Sequence, residues 1–173
     1  EEVRAAGYTI LSDTDSEVIA HLIHQYLADS DDLRQAVSKT ITRLEGAYAL
    51  GVMSQDHPNL LIGARSGSPL VVGVGMDEHF IASDQMALRQ VTDRFVYLEE
   101  GDIVELCSET YNVFDASGKT VDREVHQLDD TDHRADKGQY RHFMQKEMFE
   151  QATVLADTFA GRIGSDHIHE AIF

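Results

Sequence analysis

The chain has 173 residues, enough to bury one good hydrophobic core or one core plus part of a second. At 42% hydrophobic and 26% charged, with two prolines, it has the composition of a globular protein and not of a disordered one. Fourteen basic residues against thirty-one acidic ones set the net charge at -17, a surface that repels nucleic acid and anionic membranes, because phosphate binding needs clustered Lys and Arg.

No apolar run approaches the ~20 residues that span a bilayer. The single cysteine, Cys107, rules out an internal disulfide framework and makes a reducing compartment, the cytoplasm, the default. The chain opens EEVRAAG, with no methionine and no signal peptide, and a helix ends near Gly7. It reads as a piece of something longer.

After Gly7 the run YTIL (8–11) has the β-branched content of a short strand. Val18, Ile19, Leu22, Ile23, Tyr26 and Leu27 then recur at the three-and-four spacing of one buried helix face. Leu33, Val37, Ile41 and Leu44 predict a second helix, opened by the acids at 30–32 and closed by Gly46. AYALGVM (47–53) is a nearly continuous apolar run, the pattern of a strand covered on both faces. Strands follow at 60–64, 70–74 and 79–83, then a short helix at 85–90 capped by Ser83 or Asp84. Further strands are predicted at 94–99, 103–107, 110–114 and 120–125, three of them separated by the hairpin turns EEGD and DASGK. Helices followed by closely spaced strands imply an α+β domain with largely antiparallel sheet. QLDDTDHRADKG is polar and reads as a linker, and 143–159 carries Phe143, Met144, Met148, Phe149, Leu155 and Phe159 at helical spacing.

Candidate chemistry begins at SDTDSEVIAHL (12–22). Ser12-x-x-Asp15 and Thr14-x-x-Glu17 both fit the capping box, so helix capping is the ordinary reading. Only one acid need cap. Another, such as Asp15, would then be a pinned carboxylate at a helix N-terminus, which is what an amino-acid α-ammonium needs. Glu17, His21 and His24 share a helix face at metal-ligand spacing, although a solvated flank is the more ordinary outcome. His167 and His169 offer less. GVGMDEH (73–79) lacks the third glycine and following helix of a phosphate loop and reads as a hairpin turn. The acidic linker lacks the glycine hinge and terminal bidentate Glu of a calcium loop. Cys107 ends an apolar run and reads as buried sulfur. The residues by themselves assemble no complete catalytic set.

Four stretches in order change the weighting: SDTDSEVIAHL, ARSGSPLVVGVGMDEHFIASDQMAL (64–88), FVYLEEGDIVEL (95–106) and DKGQYRHFMQKEMFEQ (136–151). Together they resemble the glutaminase domain, and the bridge beyond it, of the glutamine–fructose-6-phosphate aminotransferase family, whose glutaminase is a class II glutamine amidotransferase. The likeness covers nearly the whole chain, and IASDQ with YRHFMQKE makes it specific to this family. One departure is Ala152, where the family has proline after the Glu-Gln pair.

The resemblance implies a four-layer αββα sandwich of the N-terminal-nucleophile hydrolase type with mainly antiparallel sheets, incomplete here. It assigns 1–126 to the latter part of the glutaminase domain, 127–142 to an interdomain linker and 143–173 to the start of an α/β sugar-isomerase domain. The implied reaction takes glutamine and fructose 6-phosphate to glutamate and glucosamine 6-phosphate, with no metal or organic cofactor, in a homodimer. The family's nucleophile is an N-terminal cysteine whose own α-amino group is the base. Residue 1 is Glu, and the α-nitrogen of Cys107 is locked in a peptide bond. No catalytic residue is therefore expected in these 173 residues, which alone would be inactive. One binding residue carries over: Asp15, which in the family pairs with the α-ammonium of glutamine, while Thr14 and Glu17 cap the helix. The competing reading is a non-catalytic glutaminase-like module that binds a ligand or a partner.

Overall fold

A computed structural model describes residues 2–128 and 137–159 of the chain. These fall into two compact units, divided between Asp129 and Asp130.

The first unit opens with α1 (Glu2–Ala5), and the chain turns out of it through Gly7 at φ 92°, a conformation that glycine adopts without steric penalty. The strand expected at 8–11 is absent. Tyr8 to Leu11 is irregular, and its Leu11 side chain is 87% exposed, because the segment lies against a helix end and offers its backbone to no sheet. α2 (Asp15–Ser30) buries Leu22 and Ile23 and ends at Asp31, whose left-handed φ of 50° lets its N–H reach the Leu27 carbonyl. α3 (Leu33–Ile41) starts at Asp32, which accepts from the Gln35 N–H at 2.9 Å and from the Gln35 amide at 2.7 Å. It stops five residues before Gly46, because Arg43 and Leu44 turn back to carbonyls only three residues earlier. Leu44 therefore lies beyond the helix that its spacing predicted.

Among the described residues nine strands follow: β1 (Tyr48–Ser54), β2 (His57–Ser66), β3 (Val71–Val74), β4 (His79–Ala82), β5 (Arg94–Tyr97), β6 (Ile103–Leu106), β7 (Tyr111–Phe114), β8 (Thr120–Val121) and β9 (Val125–Gln127). They form a five-stranded sheet of order β1-β2-β6-β7-β8 and a four-stranded sheet of order β4-β3-β5-β9. Every neighbouring pair is antiparallel. The expected mixed α and β composition with antiparallel sheets is thus observed.

The predicted single strand at 120–125 is two strands in two sheets. The chain crosses between them at Asp122–Glu124, where Arg123 forms a bidentate pair with Asp102, both contacts 2.9 Å. The predicted helix at 85–90 is a short 3-10 turn, Gln85–Ala87, capped by the Asp84 carboxylate on the Met86 N–H. GVGMDEH is the β3–β4 hairpin turn, with Asp77 at φ 59°.

Period-two alternation sorts the side chains into two cores. Ile62 and Ala64 of β2 and Ile103 of β6 face α2 and α3, where they meet Ile23, Leu33 and Val37. Val104, Leu106 and Val113 point the other way, against Val72, Val74 and Val96 of the second sheet. The order from one side is therefore helices, first sheet, second sheet. The outer face of the second sheet buries Phe95 and Val71, and Leu88 and Thr92 crowd against its Gly73.

β1 departs from expectation. Its residues alternate between half-buried on the helix face and exposed on the other, where Ile81 of β4 approaches Gly51. Cys107 is half-buried just past β6, not sealed in the core.

In the second unit, α4 (Phe143–Phe159) forms where the periodicity places a helix. Tyr140 stacks on Phe149, and Met144, Met148 and Phe149 are 65–70% exposed.

Candidate functional site

The N-terminal end of α2 carries Asp15, the residue singled out for ligand binding. Thr14 has the extended backbone of an N-cap, with φ -89° and ψ 143°, yet its hydroxyl caps no helix amide. That hydroxyl sits 2.9 Å from Ser12 Oγ instead. Neither expected capping box closes.

Glu17 does something the capping pattern did not predict. Its carboxylate reaches back past the N-cap and accepts from the Leu11 N–H and the Ser12 N–H, each at 2.6 Å. It also accepts from the Ser12 hydroxyl. Those bonds favour the ionised acid, led by the Ser12 hydroxyl and then the Leu11 amide, and they lower its pKa to about 2. Ser12 Oγ in turn accepts from the Thr14 N–H at 3.4 Å. The loop before the helix is thus tied to the helix's own first turn.

A second tie lies one turn further on. The Tyr8 hydroxyl is 2.6 Å from His24 Nδ1, and its ring lies 4.8 Å, centroid to centroid, from that of His21. His21 Nε2 is 3.5 Å from a Glu17 oxygen. The face shared by Glu17, His21 and His24 is therefore occupied by loop contacts. Among the described residues no cluster of three or more His, Cys, Asp or Glu is placed to hold a metal ion. His167 and His169 lie outside the described residues, as does most of the acidic linker. Nothing in the sequence signalled the Tyr8–His24 contact, since the two residues sit 16 positions apart with no pattern linking them.

Asp15 is exposed at the first residue of α2, and its one side-chain hydrogen-bond contact among the described residues is the Ser16 hydroxyl at 3.5 Å. The neighbouring acid takes the loop's donors and leaves the Asp15 carboxylate facing solvent. Ser16 lines one end of a groove of about 650 Å³ between α2 and β1, whose walls include Ile19, Ile23, Leu27, Leu50 and Met53. The partly apolar groove runs along the outer strand of the first sheet, and Asp15 precedes its lining residue Ser16 in the chain.

The backbone N–H of Cys107 donates to the Thr110 carbonyl at 2.8 Å, so its α-nitrogen is an ordinary peptide amide. Among the described residues no helix is long and apolar enough to cross a membrane.

The chain matches no family model. It is 51% identical over 168 residues, 97% of its length, to the glutamine–fructose-6-phosphate aminotransferase (isomerizing) of Pseudomonas putida. The enzymes of the same name from Haemophilus influenzae and Escherichia coli are 48% and 49% identical over the same share of the chain. The chain spans 28% of the length of each of these relatives. The resemblance seen in four motifs is therefore a similarity along nearly the entire sequence.

Proposed function

We propose that this chain, about half of whose residues coincide with glutamine–fructose-6-phosphate aminotransferases, is part of an enzyme of that activity. The enzyme hydrolyses glutamine and passes the ammonia to fructose 6-phosphate, giving glutamate and glucosamine 6-phosphate. The observation that carries the reading is the identity of 48–51% over 97% of the chain, too extensive for a shared loop or a borrowed motif. Residues 1–126 belong to the glutaminase domain, 127–142 to the linker and 143–173 to the start of the sugar-isomerase domain. The division between Asp129 and Asp130 falls within that linker and supports this assignment. The stacked sheets, with helices over the first and buried Val71 and Phe95 on the outer face of the second, support a four-layer αββα sandwich. The enzyme is a cytoplasmic homodimer.

In this reading Asp15 receives the α-ammonium of glutamine. An ammonium donating to a fixed carboxylate makes a charge-assisted hydrogen bond of about 2.7–2.9 Å, roughly twice as strong as a neutral one. Exposure of Asp15 and its near-freedom from internal bonds keep that capacity available. The nucleophile and its base are not supplied by these residues. These 173 residues alone therefore release no glutamate from glutamine, and turnover by them would overturn the assignment of the nucleophile.

The test uses the full reading frame that encodes the chain. The protein should convert glutamine and fructose 6-phosphate into equal amounts of glutamate and glucosamine 6-phosphate. Asp15→Asn should raise KM for glutamine at least about tenfold, the loss of roughly 1.4 kcal/mol that a charge-assisted bond supplies. An unchanged KM would remove Asp15 from the glutamine site. Binding of glutamine with no product would leave the non-catalytic module as the correct reading.

A further inference from the structure

We infer that Glu17 is the positioning residue for the Asp15 carboxylate, a clasp that holds the 8–14 loop on the first turn of α2 and so sets the glutamine site. This rests on the role of Asp15 proposed above and adds a residue to it.

The geometry separates the two acids by what they touch. Glu17 spends both carboxylate oxygens on the loop, taking the Leu11 N–H on one and the Ser12 N–H and hydroxyl on the other. Its side chain is 17% exposed. From Ser12 the connection continues to Thr14, through the Thr14 N–H at 3.4 Å and the Thr14 hydroxyl at 2.9 Å. Thr14 is the residue immediately before Asp15 and the N-cap of the helix. Backbone and side chain thus form a closed circuit: Glu17 to Ser12, Ser12 to Thr14, and Thr14 through the helix backbone to Asp15 and Glu17.

No strand or capping hydroxyl performs this task. The 8–11 segment pairs with no strand, and Thr14 does not cap the helix with its side chain. Without the clasp the loop would retain the Tyr8–His24 contact, which holds its far end, and the Ser12–Thr14 bonds, which are local. The N-cap torsions that aim Asp15 would then be set by solvent-exposed backbone alone. Glutamine would have to order that loop on binding, and ordering appears as weaker affinity. Placement of Asp15 concerns substrate capture, so the loss falls on KM and not on kcat.

The test is a two-by-two set in the full-length enzyme. Glu17→Ala should raise KM for glutamine about tenfold while leaving kcat within about twofold and KM for fructose 6-phosphate unchanged. Glu17→Gln keeps an oxygen that accepts from one backbone amide, and should lie between wild type and alanine. In an Asp15→Asn background Glu17→Ala should add no further rise, because its effect runs through the carboxylate already removed. Hydrogen exchange over residues 8–16 of the full-length protein should quicken in Glu17→Ala and not in Asp15→Asn.

If Asp15→Asn weakens glutamine and Glu17→Ala does not, the positioning role is wrong and the Asp15 reading survives. If Asp15→Asn has no effect, the Asp15 reading falls, and the clasp falls as its positioning device. If the two substitutions simply add, Glu17 acts by another route and the inference is overturned. A Glu17→Ala protein that fails to fold leaves Glu17→Gln to decide: wild-type KM in that variant, with exchange over 8–16 unchanged, also overturns it.

Discussion

Strands β1 and β6 lie two positions apart in one sheet, and both are written in apolar residues, but they carry opposite structural burdens. β6 is buried on both faces: Ile103 meets the helix layer and Val104 the second sheet, at 4% and 0% exposure. At its base sits Asp102, 1% exposed, holding the Glu99 N–H at 2.8 Å and the Arg123 guanidinium in two bonds. β1 is half-buried on its helix face, meets the second sheet at Gly51 through Ile81, and leaves Met53 75% exposed, and among the described residues no strand pairs with its outer edge. An unguarded strand edge with no charge or proline invites pairing with another chain. Apolar content therefore marks a strand's capacity for burial, while position in the sheet decides whether burial happens.

Removing the Asp102 carboxylate should expose the contrast most. Asp102→Ala leaves the Glu99 N–H without its acceptor and Arg123 with Glu99 alone, at 3.0 Å, and should cost about 1–3 kcal/mol, measured by urea denaturation. A loss under about 1 kcal/mol would show that the β8–β9 crossover does not depend on this pair. Next come two glycines that face each other across β1 and β2. A Cβ at Gly63 would lie 2.7 Å from Val104 Cγ1 and 3.2 Å from Leu70 Cδ2, so Gly63→Ala should destabilise by about 1–3 kcal/mol. At Gly51 the one close atom is the flexible end of Ile81, at 2.8 Å, and Gly51→Ala should cost less. Equal losses at the two sites would mean that the β1 side is packed as tightly as the centre.

Met53→Lys should change stability by less than about 0.5 kcal/mol, because the side chain is exposed. It should reduce self-association in sedimentation velocity, since a lysine guards a strand edge. The smallest effect belongs to acid. The bonds to Ser12 and Leu11 depress the Glu17 pKa to about 2 from an ordinary 4.5. A depressed folded-state pKa stabilises the clasp above the unfolded value, and that contribution is lost as pH falls from 4.5 towards 2. The Leu11 and Ser12 amide resonances should hold steady down to pH 4.5 and move only nearer pH 2. Movement centred at 4.5 would mean that the carboxylate does not hold these donors.

The acid-rich helix start that carries Asp15 was legible before the fold, and its mechanics were not. The acid-rich start of α2 was visible as a cluster of caps, and the four ordered motifs pointed to Asp15. Glu17 was marked as a hydrogen-bond acceptor by its spacing from Thr14, but its donors were misplaced. A capping pattern encodes separation along the helix. It does not encode the path of the chain before the helix, and that path brings the Leu11 and Ser12 amides to the carboxylate.

The sequence by itself determined what local chemistry decides: α2, α3 and α4 from apolar spacing, the β3–β4 turn from the glycine pair Gly73 and Gly75, and the antiparallel strands from short runs between turn residues. Even there, tertiary contacts moved the boundaries, stopping α3 at Ile41 and dividing 120–125 between two sheets. Which faces are buried, which strand lies at an edge and where Arg123 finds Asp102 depended on partners distant in the chain. Those choices are made by long-range packing and by the cost of burying an unpaired charge, and neither is written in the spacing of neighbouring residues.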